Sequence, residues 1–160
     1  MYLRLGAVPW FVALAVVSVV LVLLACIDLQ TGLLPDALTQ PLLWLGVVSA
    51  WAGIGIHIYA SIAGIMLGYA LLAVPRVLWL WWQGIDGMGR GDVKLLAALG
   101  AWVGEPGIMM VLAVACITGL VFAVVRQRQW CSRKAYPFGP FITLGAMAEF
   151  LFPSEVQSWF

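Results

Sequence analysis

Two aspartates, Asp28 and Asp92, are the side chains of this sequence best suited to do chemistry as a pair. Asp28 ends one long apolar run, and Asp92 stands between a glycine-rich stretch and the start of another. Two carboxylates brought together at an apolar edge cannot both ionise cheaply, so one of them keeps a proton near neutral pH. The ionised partner can then activate a water, and the protonated partner can act on a carbonyl or a leaving amine. This is aspartic-protease chemistry, which needs no metal and no nucleophilic side chain.

Each acid also has an ordinary structural interpretation. Asp28 would mark the point where a helix leaves the bilayer, and Asp92 would cap the helix that follows it, with Lys94 as its ionic partner. Asp36 is expected to cap the second helix by accepting a backbone N–H. Asp86 is expected to be a solvated loop charge. The sequence alone does not show that Asp28 and Asp92 meet.

Other kinds of catalytic or metal site lack the necessary residues. The chain has one histidine, His57, and its three cysteines form no Cys-x-x-Cys pair, so histidine triads, His-rich metal sites and structural zinc sites have no support. The glycines before Asp92 do not form a nucleotide loop, because no strand precedes them and the Gly-x-Gly-x-x-Gly pattern is absent. We therefore predict no cofactor and no metal.

The composition places the two aspartates in a membrane protein. The 160 residues are 64% hydrophobic and 9% charged, with eight Lys+Arg against seven Asp+Glu and a mean hydropathy of +1.06. Soluble proteins carry about 25% charged residues, so this chain has too little polar surface to coat a globule. A net charge of +1 also removes the electrostatic basis for binding nucleic acid. A polytopic protein with the lipid bilayer as its main partner is expected.

Apolar runs predict an all-α fold of about six transmembrane helices, forming a single domain over residues 1–160. The fourth helix is short, and a Gly-Glu-Pro-Gly break separates it from the fifth. Pro41 is expected in the first turn of the second helix, and Gly64 and Gly68 are expected at a helix–helix contact. The first run is long enough to span a bilayer, although a lipoprotein cleavage site at Cys26 is a minor alternative. The predicted helices cover residues 8–27, 41–56, 59–82, 94–103, 108–125 and 137–152.

The distribution of Lys and Arg predicts which end of the bundle faces the cytoplasm. Residues 126–134 hold four of the eight basic residues, so this loop is expected on the cytoplasmic side. Counting helices backwards places residues 83–94 and 28–39 on the same side. Asp28 and Asp92 are thus predicted at the cytoplasmic face, with both termini outside and Arg4 as a mild exception to the charge rule.

Three segments resemble the motifs of the type IV prepilin peptidases. The run Asp-Leu-Gln-Thr-Gly-Leu-Leu-Pro-Asp at residues 28–36, with the segment that follows it to residue 46, resembles their first catalytic segment. Residues 87–102, which begin Gly-Met-Gly-Arg-Gly-Asp-Val-Lys, resemble their second, the Gly-x-Gly-Asp segment. Pro-Phe-Gly-Pro-Phe at residues 137–141 resembles a stretch of their last helix. The likeness runs from Cys26 onward, and two long motifs in the right order make it specific.

The resemblance implies an aspartyl endopeptidase of the bacterial inner membrane. Such enzymes remove the short basic leader of prepilins, or of the pseudopilins of type II secretion, by cutting after a glycine on the cytoplasmic side. Asp28 and Asp92 correspond to the catalytic pair, whereas Asp36 matches a recurrent position that is not the usual catalytic acid. The residues expected to support the site are Gly89, Gly91, Lys94 and Asp36.

The main departure of the sequence from the family concerns an N-terminal domain, and two other functions stay open. Typical full-length members carry an N-terminal domain with two Cys-x-x-Cys pairs, associated with N-methylation. This chain has none and is interpreted as a short form, so the resemblance does not extend to N-methyltransferase activity, S-adenosylmethionine or zinc. The alternatives are a non-catalytic membrane component that binds pilin-like helices for assembly, and a small transporter whose acids relay protons. Separate Asp28→Asn and Asp92→Asn substitutions discriminate, because the peptidase needs both carboxyls.

Overall fold

A computed structural model of the chain describes residues 3–84, 89–126 and 138–152. Its helices are α1 Leu3–Thr31, α2 Asp36–Trp51, α3 Ile58–Gln83, α4 Arg90–Arg126 and α5 Gly139–Leu151. No strand occurs in these three ranges, in agreement with the predicted all-α class. Three of the described helices are long and apolar enough to cross a membrane by length and composition, over Pro9–Thr31, Ile58–Gln83 and Arg90–Val125.

Helix α4 turns back on itself at Gly104. This residue has a φ of 71° and a ψ of −170°, which is not a helical conformation. Leu96 and Ile108 both contact Gly68 of α3, since the Leu96 carbonyl oxygen and the Ile108 Cγ1 lie 2.7 Å and 3.2 Å from the position of a Cβ at Gly68. Twelve residues of straight helix would hold them about 18 Å apart. The chain therefore reverses at Gly104, and α4 consists of a first arm, residues 90–103, and a second arm, residues 105–126.

The described residues form five helices where the sequence predicts six, because the predicted fourth and fifth helices are the two arms of α4. The break expected over four residues is confined to Gly104. Its φ lies in the left-handed region, and with this ψ the conformation is essentially restricted to glycine. Pro106 lies in the first turn of the second arm. The N–H groups of a first turn have no carbonyl partner within the helix, so the N–H that proline lacks costs no helical hydrogen bond.

Five predicted helix boundaries are wrong by four or five residues: both ends of α1, both ends of α2 and the start of α4. α1 continues to Thr31, so Asp28 lies inside the helix instead of marking its end. α2 begins at Asp36, with Pro35 as the N-cap residue, so Pro41 lies in the second turn and not in the first. An acidic residue is favourable in the first turn of a helix, which explains the earlier start. α3 matches its predicted range to within one residue at each end. The predicted last helix corresponds to α5, and Pro137 lies outside the described residues.

Close backbone contact joins α3 to the first arm of α4. Gly64 and Gly100 meet backbone to backbone, so the expected packing role of the Gly-x-x-x-Gly pair is confirmed. The Ser61 hydroxyl donates a hydrogen bond to the Ala101 carbonyl oxygen at 2.9 Å. On the opposite side of the same arm, the Trp102 indole N–H donates to the Leu42 carbonyl oxygen of α2 at 2.9 Å. The first arm is thus fixed between α2 and α3.

The two ends of the helix bundle differ in chemistry. We call one the aspartate end, where the last turn of α1 meets the first turns of α2, α4 and α5. We call the other the tryptophan end, where Trp10 of α1 stacks on Trp102 with ring centroids 6.0 Å apart. Trp10 also lies against Gly55 in the α2–α3 connection. The turn of α4 at Gly104 belongs to this second end.

Candidate active site

The aspartate end brings Asp28 and Asp92 together. Asp28 lies in the last turn of α1 and is 4% exposed, and Asp92 lies in the first turn of α4 and is 7% exposed. Their carboxyl groups are close enough to interact electrostatically. A residue that merely marked the exit of a helix from the bilayer would stand on the outer surface of the bundle. Burial beside a second carboxyl is instead what acid–base chemistry requires.

The N-terminus of α5 holds the Asp28 carboxylate. The Gly139 N–H donates a hydrogen bond to Asp28 Oδ2 at 3.0 Å. A Cβ at position 139 would stand 2.5 Å from that oxygen, so the approach requires a glycine. This contact joins residues that are 111 positions apart. The sequence pointed to the Phe-Gly-Pro stretch only through the family resemblance, and a glycine followed by proline at a helix start was the one local signal.

Gly89 and Gly91, in the glycine-rich segment before Asp92, allow the close approach of other groups. Gly91 does not have a positive φ. Gly89 lies beside the carboxyl of Asp92, with its Cβ position 3.1 Å from Asp92 Oδ2. Leu34, in the α1–α2 connection, packs on Gly91, where a Cβ would stand 2.7 Å from the Cβ of Leu34. The two glycines therefore allow a carboxyl and a neighbouring loop to lie directly on the start of α4.

Lys94 forms an ion pair with Asp36. One interpretation of the sequence expected Asp92 as the partner of Lys94, and that expectation is wrong. The Lys94 ammonium nitrogen lies 2.7 Å and 2.6 Å from the two carboxylate oxygens of Asp36. Asp36 makes no side-chain capping bond, so its predicted role as the N-cap of α2 is wrong, because Pro35 occupies that position. Asp92 is likewise not an N-cap, since α4 already begins at Arg90. The ion pair fastens the start of α2 to the first arm of α4.

Some of the predicted residues fall outside the described part of the chain. Asp86 lies there, together with the first two residues of the second motif, and so does most of the basic loop over residues 126–134. Within the described ranges, no group of three or more His, Cys, Asp or Glu side chains comes together in the way that a metal ion would need. The candidate site among the described residues is a pair of carboxyls, and a pair of this kind can transfer protons to and from a bound reactant or water.

Comparison with known proteins associates the chain with one family. Residues 15–124 match the model of the type IV leader peptidase family, a range that contains both aspartates. No solved structure matches the chain.

Similar proteins come from several bacteria. A prepilin leader peptidase/N-methyltransferase of Burkholderia pseudomallei (strain K96243) is 41% identical over 139 residues, which are 82% of this chain and 43% of that protein. A protein of the same name from Dichelobacter nodosus is 39% identical over 143 residues, covering 88% of this chain and 48% of that protein. A type 4 prepilin-like proteins leader peptide-processing enzyme of Escherichia coli O78:H11 (strain H10407 / ETEC) is 35% identical over 144 residues, 87% of this chain and 51% of that protein. The chain thus spans about half the length of the curated relatives it matches.

Proposed function

The chain belongs to the type IV leader peptidase family, and from this premise we propose that it is an aspartic endopeptidase that removes the leader from prepilins or from type II secretion pseudopilins. The observation that carries the proposal is the burial of Asp28 and Asp92 at one end of the bundle, within range of electrostatic interaction with each other. The two residues come from helices at opposite ends of the family match, and nothing in the local sequence of either requires the other.

Two adjacent carboxyls suffice for peptide hydrolysis. The ionised member takes a proton from water as the water oxygen attacks the scissile carbonyl carbon, and the protonated member donates to the carbonyl oxygen. Burial within the apolar bundle strengthens both interactions, because the local dielectric constant is far below that of water. This chemistry accounts for cleavage by side chains of this chain alone.

The orientation of the site is also part of the proposal. With the turn of α4 at Gly104, the starts of α2, α4 and α5 and the end of α1 lie at one end of the described bundle. We place this end at the cytoplasmic face of the bacterial inner membrane, since the basic residues at 90, 94 and 126–134 follow the positive-inside bias. The basic leader of a prepilin would approach the aspartates from that side.

The proposal covers peptide cleavage. The names of the relatives from Burkholderia and Dichelobacter also include N-methyltransferase. Methylation of the N-terminus that cleavage releases is tested separately, on the cleaved product. A methyl group adds a mass to the mature N-terminus that is easily distinguished from loss of the leader.

The test is cleavage of a prepilin in membranes that contain the full chain. Co-expression with a prepilin is expected to produce the mass loss of the leader peptide, and Asp28→Asn and Asp92→Asn should each abolish it while the protein still accumulates in the membrane. If either variant cleaved like the unaltered chain, the peptidase mechanism would be wrong. Retention of uncleaved prepilin by both variants and by the unaltered chain alike would favour a non-catalytic assembly component.

A further inference from the structure

The two carboxyls of the site have different hydrogen-bonding environments. Asp28 Oδ2 accepts the Gly139 N–H at 3.0 Å. In the described part of the chain, Asp92 accepts no hydrogen bond, although its carboxyl is as deeply buried. A hydrogen bond from an N–H to a carboxylate stabilises the charged form of that carboxylate. The surroundings therefore favour negative charge on Asp28.

The donor to Asp28 is an otherwise unused N–H at a helix start. Gly139 is the first residue of α5, and Phe138 provides no side-chain cap. The Phe138 carbonyl oxygen accepts the N–H groups of Phe141 and Ile142, and Pro140 has none to give. The Asp28 carboxylate thus takes the place of the missing cap, where the helix carries a partial positive charge.

Asp92 also lies near a helix start, but the interaction there is weaker. It stands in the first turn of α4, and among the described residues it accepts no N–H hydrogen bond. Proximity to a helix N-terminus contributes less than a direct N–H bond to a carboxylate. In the described part of the chain, the neighbouring Asp36 is paired with Lys94, and residues 139–146 of α5 carry no titratable side chain.

We propose that Gly139 is a positioning residue that holds Asp28 as the charged member of the pair, so that Asp28 is the general base and Asp92 the general acid. This assignment rests on the proposed peptidase function. It also gives the Phe-Gly-Pro stretch a physical role, since a Cβ at position 139 would stand 3.1 Å from Asp28 Cγ and would displace the carboxylate.

The assignment fixes the path of each proton. Asp28 takes a proton from water while the water oxygen bonds to the scissile carbon, and Asp92 gives its proton to the carbonyl oxygen. The tetrahedral diol collapses when Asp28 passes its proton to the amide nitrogen and the carbon–nitrogen bond breaks, with its electron pair leaving on nitrogen. Asp92 takes a proton back from one hydroxyl. One water is consumed, and an amine and a carboxylic acid are released.

Chemical labelling distinguishes the charged carboxyl from the protonated one. An ionised carboxylate opens an aryl glycidyl ether and becomes an ester, whereas ethyl diazoacetate takes the proton of a neutral carboxylic acid and esterifies it with loss of nitrogen gas. The full chain in lipid nanodiscs is treated with each reagent separately, and the esters are located by tandem mass spectrometry. We expect the glycidyl ester on Asp28 and the diazo-derived ester on Asp92. The opposite distribution, or equal labelling of both residues by one reagent, would overturn the assignment.

A glycine variant with a matched control tests the role of Gly139. Gly139→Ala is expected to reduce glycidyl labelling of Asp28 and to lower kcat for prepilin cleavage about 10- to 100-fold, with KM little changed. The control is Gly119→Ala, because a Cβ there would stand 3.4 Å from the ring of Phe138, in ordinary contact, and would not reach Asp28. If Gly139→Ala and Gly119→Ala gave the same labelling and the same kcat, the proposal would be contradicted. If neither reagent reacts with the unaltered chain, the comparison of kcat between the two variants decides the question by itself.

The labelling result is independent of the proposed function. If the unaltered chain does not cleave prepilins but the glycidyl ester still forms on Asp28, the charge assignment stands and the peptidase proposal fails. If cleavage depends on both aspartates and the glycidyl ester forms on Asp92, the peptidase proposal stands and the assignment fails.

Discussion

The aspartate end and the tryptophan end of the bundle each contain buried carboxyls, but they are built differently. At the aspartate end, Asp28 and Asp92 are both buried among helix termini and lie within range of each other's charge. At the tryptophan end, Glu149 of α5 is 4% exposed and lies by Gly107, just beyond the turn of α4. A buried charge in a membrane helix is costly wherever it occurs. The two aspartates of the proposed catalytic end lie within range of each other's charge.

The means of holding the helices also differ between the two ends. Polar contacts between distant residues join the helices at the aspartate end, as in the pairs Asp28–Gly139 and Asp36–Lys94. Ring stacking, a glycine turn and the hydrogen bond from Trp102 to Leu42 do so at the tryptophan end. Changes at the aspartate end should therefore alter activity more than stability, and changes at the tryptophan end should do the reverse.

The largest expected effect compares one buried carboxyl from each end. Asp92→Asn should lower the rate of prepilin cleavage by about 10² to 10⁴ or more, because a general acid or base contributes that much. Glu149→Gln should leave the rate within a few-fold of the unaltered chain. The measurement is the initial rate in reconstituted vesicles at matched protein content. A comparable loss in Glu149→Gln would mean that the tryptophan end takes part in the chemistry.

The turn of α4 offers the largest expected effect on stability. Gly104→Ala should lower the free energy of unfolding by about 1–3 kcal/mol, since its φ of 71° and ψ of −170° are essentially restricted to glycine. Space is not the cause, because a Cβ there would have 3.6 Å to its nearest neighbour. Unfolding in mixed detergent micelles measures the change.

A helical glycine gives the control for this variant. Gly119→Ala should be neutral or stabilising by up to about 1 kcal/mol, because alanine is the better helix former. If Gly104→Ala were as stable as Gly119→Ala, the turn would not depend on the conformation of Gly104.

The tryptophan stack is expected to make a smaller contribution. Trp102→Phe removes the hydrogen bond to the Leu42 carbonyl oxygen and part of the contact with Trp10, which together should cost about 1–2 kcal/mol of stability. Trp44→Phe serves as the control, because that side chain is 61% exposed on the outer surface of α2. Thermal unfolding followed by tryptophan fluorescence compares the two. Equal midpoints would remove Trp102 from the contacts that hold this end together.

The smallest expected effect concerns the ion pair at the aspartate end. The Lys94 and Asp36 side chains are 42% and 59% exposed, so their coupling should be only about 0.2–1 kcal/mol. A double-mutant cycle of Asp36→Asn and Lys94→Gln measures it through the unfolding free energy. A coupling energy well above this range would show that the pair is shielded and that polar contacts stabilise this end more than packing does.

Several features of the fold and site were accessible from local sequence. The range of α3 follows from a continuous apolar run bounded by polar residues, and the Gly-Glu-Pro-Gly sequence correctly signalled an interruption near Gly104. The start of α2 was misplaced because Pro35 and Pro41 are both acceptable near a helix start, and only the packing of the preceding loop selects between them. The partner of Lys94 was also misassigned, since Asp92 is nearer in sequence while Asp36 is nearer in space.

The sequence by itself determined that this chain is a helical membrane protein with a small number of acids in two recognisable motifs, because apolar run length and charge scarcity act locally along the chain. Tertiary structure decided which of those acids meet. The Asp28–Gly139 contact joins helices at opposite ends of the sequence, and it forms only when the turn at Gly104 brings the second arm of α4, and α5 with it, back to the aspartate end. Contacts of this kind depend on the packing of whole helices, which no local pattern encodes.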